Sequence, residues 1–135
     1  MNEGVLVDSN VLLDLLEEDV TWYDWSAEHI RLAADRSALI INPVIYAEVS
    51  IGFERIEELE AVLEPKLFER RPIPWEAAFL AGKCFIRYRR RGGQRRSPLP
   101  DFFIGAHAAV EGLTLLTRDA ARYRTYFPFL SLISP

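Results

Sequence analysis

Cysteine is almost absent from this chain. Cys84 is the only one, so no internal disulfide can form and nothing favours an oxidising compartment. Histidine is nearly as scarce, and the two present are scattered. The usual ligand spacing of a zinc site is therefore missing, and a Ser-His or Cys-His nucleophile is equally unsupported. No apolar run approaches the length of a membrane span, and no basic segment precedes the short apolar run near the N-terminus. A soluble, cytoplasmic protein without membrane attachment is expected. A glycine-rich phosphate loop is also lacking, because Gly92-Gly93 follows a helical stretch rather than a strand. Repeats, low-complexity segments and linkers are absent, so residues 1–135 read as one domain, long enough to bury a core.

What is present is unevenly distributed. Residues 1–64 hold fifteen acidic and three basic side chains, a balance of −12, whereas residues 65–135 hold five and thirteen, a balance of +8. Their sum is the net −4 of the whole chain. Such asymmetry directs attention to a cation site and a polyanion-binding surface on one molecule.

Short apolar runs at Val5–Val7, Leu39–Ile41, Leu113–Leu116 and Leu130–Ile133 read as buried strands, with a weaker one around Leu67–Phe68. Helical periodicity fills the intervals, which predicts an α/β architecture with a mostly parallel sheet. Trp22, Trp25, His29 and Leu32 share one face of a second helix, where His29 is expected to be structural. Pro43 opens a third helix with Val44, Glu48 and Ile51 on one side. In the segment Glu54 to Glu64, Ile56, Leu59 and Leu63 are expected inward. Trp75 opens a long helix whose apolar side is expected at Trp75, Phe79, Gly82 and Ile86. Pro100 begins a slim helix rich in Gly and Ala that Gly112 ends, and a short one spans Ala120 to Tyr126.

Four carboxylates stand out from this layout. Asp8 and Asp119 follow strands, Glu48 lies on the helix after the second strand, and Asp101 is in the first turn of a helix. Singly, each has an ordinary explanation: Asp8 and Asp119 as helix caps, Asp101 as a complement to a helix dipole. Glu48 is harder to place, because a glutamate on an apolar face needs a partner. With parallel strands, all four can meet at one end of the sheet, where their mutual repulsion calls for a cation. An all-oxygen donor set suits Mg²⁺ or Mn²⁺, as one or two ions.

The segments Val5-Leu6-Val7-Asp8-Ser9-Asn10, Glu48 after Asn42-Pro43, Ser97-Pro98-Leu99-Pro100-Asp101-Phe102, and Leu116-Thr117-Arg118-Asp119 resemble the motifs of PIN-domain ribonucleases. Within that family the chain is most similar to VapC-type toxins of toxin–antitoxin pairs, in order and over its whole length. The resemblance implies a PIN-like three-layer sandwich with a mostly parallel five-stranded central sheet flanked by helices. It implies a Mg²⁺- or Mn²⁺-dependent endoribonuclease, a cognate antitoxin covering the active site, and a homodimer. Asp8, Glu48, Asp101 and Asp119 match the acidic positions that hold the metal and do the catalysis, Asp119 being the one that varies in direct metal contact. Asn10 and Thr117 match supporting polar positions.

Seven basic residues fall between positions 83 and 96 with no acid among them: Lys83, Arg87, Arg89, Arg90, Arg91, Arg95 and Arg96. They are either a solvated helix face or an RNA-binding surface, and the run leads into the Asp101 segment. Two other readings fit less well. A phosphatase with an aspartyl nucleophile wants a second Asp where Asn10 stands. A phosphoacceptor binding module wants an acidic pair near the N-terminus and a lysine after a late strand, yet Lys66 and Lys83 are the only lysines. A PIN nuclease that processes cellular RNA without an antitoxin is the third alternative.

Overall fold

The computed structural model describes residues 4–135. Five strands, β1 (Gly4–Val7), β2 (Ala38–Ile41), β3 (Phe68–Arg70), β4 (Thr114–Leu116) and β5 (Leu132–Ile133), form one sheet in the order β3-β2-β1-β4-β5. Every pairing among them is parallel, so the sheet is more uniform than expected. Leu6 at the centre pairs with Ile40 on one side and Leu115 on the other. All residues of β1 and β4 are buried. A strand buried on both faces requires cover on both faces, and seven helices among the described residues supply it: α1 (Ser9–Leu16), α2 (Tyr23–Arg36), α3 (Pro43–Ser50), α4 (Ile56–Val62), α5 (Trp75–Arg90), α6 (Pro100–Glu111) and α7 (Ala121–Tyr126).

The order of strands decides where a ligand can sit. The chain steps outward from β1 to β2 to β3, then crosses back to lay β4 on the other side of β1. The adjacent loops after β1 and β4 thus diverge, which makes the carboxyl ends of these strands the topological switch point. Asp8 follows β1 and Thr117 follows β4 at that place.

The start of α3 is tied to α6 through side chains. Asn42 caps α3 by accepting from the Ile45 N–H at 2.9 Å, and Pro43 occupies the first turn. The Asn42 amide donates to His107 Nδ1 at 3.0 Å, so His107 is protonated at Nε2 and donates to Glu111 at 3.0 Å. His107 is fully buried on α6, and burial lowers its pKa and keeps it neutral. The helix that carries Glu48 is thereby fixed against the helix that carries Asp101.

Three expected faces differ from the observed ones. On α5 the buried side is Ala77, Ala81 and Cys84, while Trp75, Phe79 and Ile86 are exposed. Both stripes repeat at helical spacing, and the inner one is chosen because small side chains let α5 approach α6 closely. In α6 the same economy of volume holds: a Cβ at Gly105 would run into the Phe127 ring. On α3 the buried residues are Ile45 and Val49, leaving Ile51 exposed. Ile56 is exposed as well, at the start of α4. His29 is structural, stacked on Trp25 and bonded through Nδ1 to the Trp25 carbonyl at 2.8 Å.

Candidate active site

Asp8 does not behave as an ordinary cap. Its Oδ1 accepts only from the adjacent Ser9 N–H at 2.8 Å, with the Ser9 hydroxyl farther off at 3.5 Å. Its Oδ2 turns inward and accepts from the Thr117 hydroxyl at 2.8 Å and the Tyr123 phenol at 2.9 Å. At 3 % exposure the carboxylate has lost most of its water. Burial is the main cause that pushes its pKa up to about 6, against the lowering by these hydrogen bonds, and Asp101 adds further repulsion.

The remaining acids converge on the same place. Glu48 is half-buried and accepts from the Ser9 hydroxyl at 2.8 Å. Burial raises its pKa first, and the charge of Asp101 adds to this. Asp101 lies 3.4 Å from the Tyr123 hydroxyl, whose proton goes to Asp8, and 3.6 Å from the Arg122 guanidinium. Its pKa is also raised by burial, with Asp119 contributing repulsion while Arg122 and Tyr123 oppose it. Asp101 thus faces each of the other three acids, and a helix dipole alone does not account for it. Asp119 is the most exposed of the four; α7 has no side-chain cap, so a capping role for Asp119 is not realised.

Thr117 organises the loop after β4. Its single hydroxyl proton goes to Asp8, and its oxygen accepts from the Asn10 amide at 3.3 Å and the Asp119 N–H at 3.2 Å. Asn10 in turn accepts from the Arg118 N–H at 3.1 Å. Beneath the loop, the Arg118 side chain forks onto buried Asp14 at 2.9 and 3.1 Å, and Ser26 adds a third bond to that carboxylate at 2.8 Å. Two residues expected as supporting polar groups therefore sit beside Asp8.

Sequence reasoning missed Ser9 as the link between Asp8 and Glu48, Tyr123 as the bridge between Asp8 and Asp101, and Arg122 as the cation beside Asp101. Tyr123 left a usable signal: it is four residues beyond Asp119 in a short helix, where a tyrosine is a natural inward residue. Burial and the surrounding acids raise its phenol pKa well above the ordinary value, so it stays a proton donor.

The basic run separates into distinct environments. Arg87 and Arg91 lie over the Tyr126 ring, 5.3 and 5.8 Å from its centre. Arg91 also lines an open cavity of about 580 Å³ whose other walls include Asp101, Asp119 and Arg122. Lys83 instead lies over Phe79, on the exposed side of α5. Arg89 donates to the Arg95 carbonyl at 2.9 Å, and Arg90, Arg95 and Arg96 are exposed.

Among the described residues, no three acidic, imidazole or thiol groups stand close enough to hold an ion between them. This does not disqualify a magnesium-type ion, which keeps several waters and takes only one or two carboxylates directly. The donors are all oxygens, and Asp8 is linked to Glu48 through Ser9 and to Asp101 through Tyr123. The side chains fit a hydrated divalent cation.

A wholly parallel α/β sheet with acids gathered at its switch point defines the class of the protein. The chain belongs to the PIN domain family, whose profile matches residues 5–128. It is a family of nucleases that generally use divalent metals. Similar folds occur in VapBC2 from Rickettsia felis bound to a promoter DNA fragment, at a TM-score of 0.74 and 18 % identity over 97 % of this chain and 98 % of that one. DNA-bound VapBC from Salmonella typhimurium gives 0.71 and 20 % over 99 % and 98 %. A toxin–antitoxin complex from Klebsiella pneumoniae gives 0.70 and 18 % over 96 % of each chain. No curated protein matches the sequence.

Proposed function

We propose that the chain is a VapC-type toxin, a metal-dependent endoribonuclease that cuts RNA phosphodiester bonds with water as the nucleophile. The observation that carries this reading is the linking of Asp8, beyond the central strands, to Glu48 through Ser9 and to Asp101 through Tyr123. A divalent ion, Mg²⁺ or Mn²⁺, supplies a Lewis acid that acidifies water and neutralises charge on the phosphate. Asp8 and Asp101 are the residues to hold it, with Asp8 aimed by Thr117 and Tyr123. Glu48, bonded to Ser9 through one oxygen, keeps the other to orient the attacking water and take its proton. Asp119 closes the site from the exposed side, directly or through a water.

Water attack in line with the leaving 3′ oxygen leaves a 5′-phosphate on the downstream product. Purified protein and labelled RNA test this, with Mg²⁺ or Mn²⁺, with chelator, and as Asp8→Asn. Cleavage to 5′-phosphate ends that requires metal and Asp8 is the expected result. Equal cleavage by metal-free protein, or products with cyclic phosphate ends, overturns it.

The partner reading rests on similarity. The three structures named above are toxin–antitoxin complexes, and this chain has nearly the length of the chains it matches there. A cognate antitoxin that inhibits cleavage, a homodimer and a cytoplasmic location belong to the same proposal. No helix among the described residues is long and apolar enough to cross a membrane. Co-expression with the product of an adjacent small gene, followed by co-purification and loss of cleavage, checks the antitoxin.

A further inference from the structure

The cavity of about 580 Å³ beside Asp101 has two guanidinium groups on separate elements. Arg91 stands at the end of α5, where it is exposed, and lies over the Tyr126 ring. Arg122 comes from the first turn of α7 and sits 3.6 Å from Asp101 with 44 % of its side chain exposed. Between them Gly92 has a φ of 91°, which favours glycine, and a Cβ on Gly93 would enter the Tyr88 ring. The two glycines turn the chain tightly and leave the cavity mouth free of side chains there. One cavity thus carries two acids, Asp101 and Asp119, and two guanidinium groups on its walls.

We propose that this cavity seats the nucleotide next to the cleaved bond of a single-stranded RNA, held by its phosphate between Arg91 and Arg122. The proposal rests on the nuclease reading above and specifies where its substrate lies. A phosphate beside Asp101 and Asp119 alone would meet net negative charge; in this cavity Arg91 and Arg122 offset it. Arg122 then has a second anion to share beside Asp101, and a fork of N–H donors can serve both. The exposed Arg90, and Lys83 over Phe79, do not line this cavity. They carry the same charge from outside the path.

That difference makes the test. Binding of a labelled single-stranded RNA is followed by fluorescence anisotropy over a series of salt concentrations, in chelator so that nothing is cut. Arg91→Gln and Arg122→Gln are each expected to reduce the slope of log K against log salt by about 0.7, the value of one phosphate contact on a single strand. Lys83→Gln and Arg90→Gln remove the same charge and are expected to leave the slope unchanged. Arg122→Lys is expected to restore part of it. If all four neutralisations flatten the slope equally, RNA senses only the overall charge and the proposed seat is overturned, while metal-dependent cleavage by the wild type still upholds the nuclease reading. If the wild type neither binds nor cuts RNA, both fall together.

Discussion

Tyr123 and Asp8 lie 115 positions apart in the chain and share a hydrogen bond of 2.9 Å, with the phenol as donor. The same hydroxyl lies 3.4 Å from Asp101. One buried O–H therefore aims Asp8 and sets its oxygen beside Asp101, the two carboxylates on which a metal site would chiefly depend. Tyr123→Phe keeps the ring and deletes only that proton. Its expected effect is a loss of divalent-cation affinity of about 10- to 100-fold, the range for groups that orient ligands, at a stability cost of about 1 kcal/mol. Manganese binding followed by electron paramagnetic resonance checks the first, urea unfolding the second.

Asp8 is costly to the metal-free fold. Its pKa rises from the ordinary 3.8 to about 6 on folding, so the folded state holds the proton more tightly than the unfolded chain. Its contribution to stability is full below about pH 4 and is lost as the pH rises through about 6. Asp8→Asn cannot titrate. Relative to wild type it is expected to gain up to about 3 kcal/mol between about pH 4 and pH 7, while cleavage disappears. The comparison of the two proteins at each pH removes the opposite trend from His107, whose lowered pKa makes stability fall as the pH drops. Denaturant midpoints across this range measure it.

The same linkage predicts a pH-dependent response to metal. Ligation needs ionised carboxylates, and burial raises the pKa of Asp8, Glu48 and Asp101. Addition of Mn²⁺ at about 100 times its dissociation constant is expected to stabilise the fold by about 2.7 kcal/mol. At fixed Mn²⁺ the rise in melting temperature is expected to be larger above pH 6 than at pH 5. Thermal scans with and without chelator read this directly, and an equal rise at both pH values would count against these acids as ligands.

The Asp14–Arg118 pair holds the loop that carries Thr117 and Asp119. Asp14 is 2 % exposed and takes two bonds from Arg118. Arg118→Ala leaves that carboxylate with Ser26 alone, and a buried charge without its partner costs about 3 kcal/mol or more. Arg118→Ala is therefore expected to be clearly less stable than Asp14→Ala combined with Arg118→Ala, which removes the stranded charge. A double-mutant cycle in urea gives the coupling energy.

The sheet was legible because strands buried on both faces are nearly continuous apolar runs. Val5-Leu6-Val7 and Leu39-Ile40-Ile41 are such runs and both are strands. The edges were less legible: β5 is only Leu132–Ile133 and β3 runs on through charged Glu69 and Arg70. An edge strand packs less side-chain surface, so its composition is freer. Helix faces failed where two apolar stripes competed, as on α5, since spacing specifies a stripe but not its direction.

Sequence by itself determined the layout: alternating strands and helices, and acids placed at strand ends and helix starts by local rules that act within a few residues. Tertiary structure alone decided what those acids meet. The crossing that puts β4 beside β1 brings Thr117 to Asp8, and the packing of α7 brings Tyr123 and Arg122 to Asp8 and Asp101. Those partners lie tens of positions away or more, beyond any local pattern. Their effect on the acids arises from the loss of water, which exists only once the chain has closed over them.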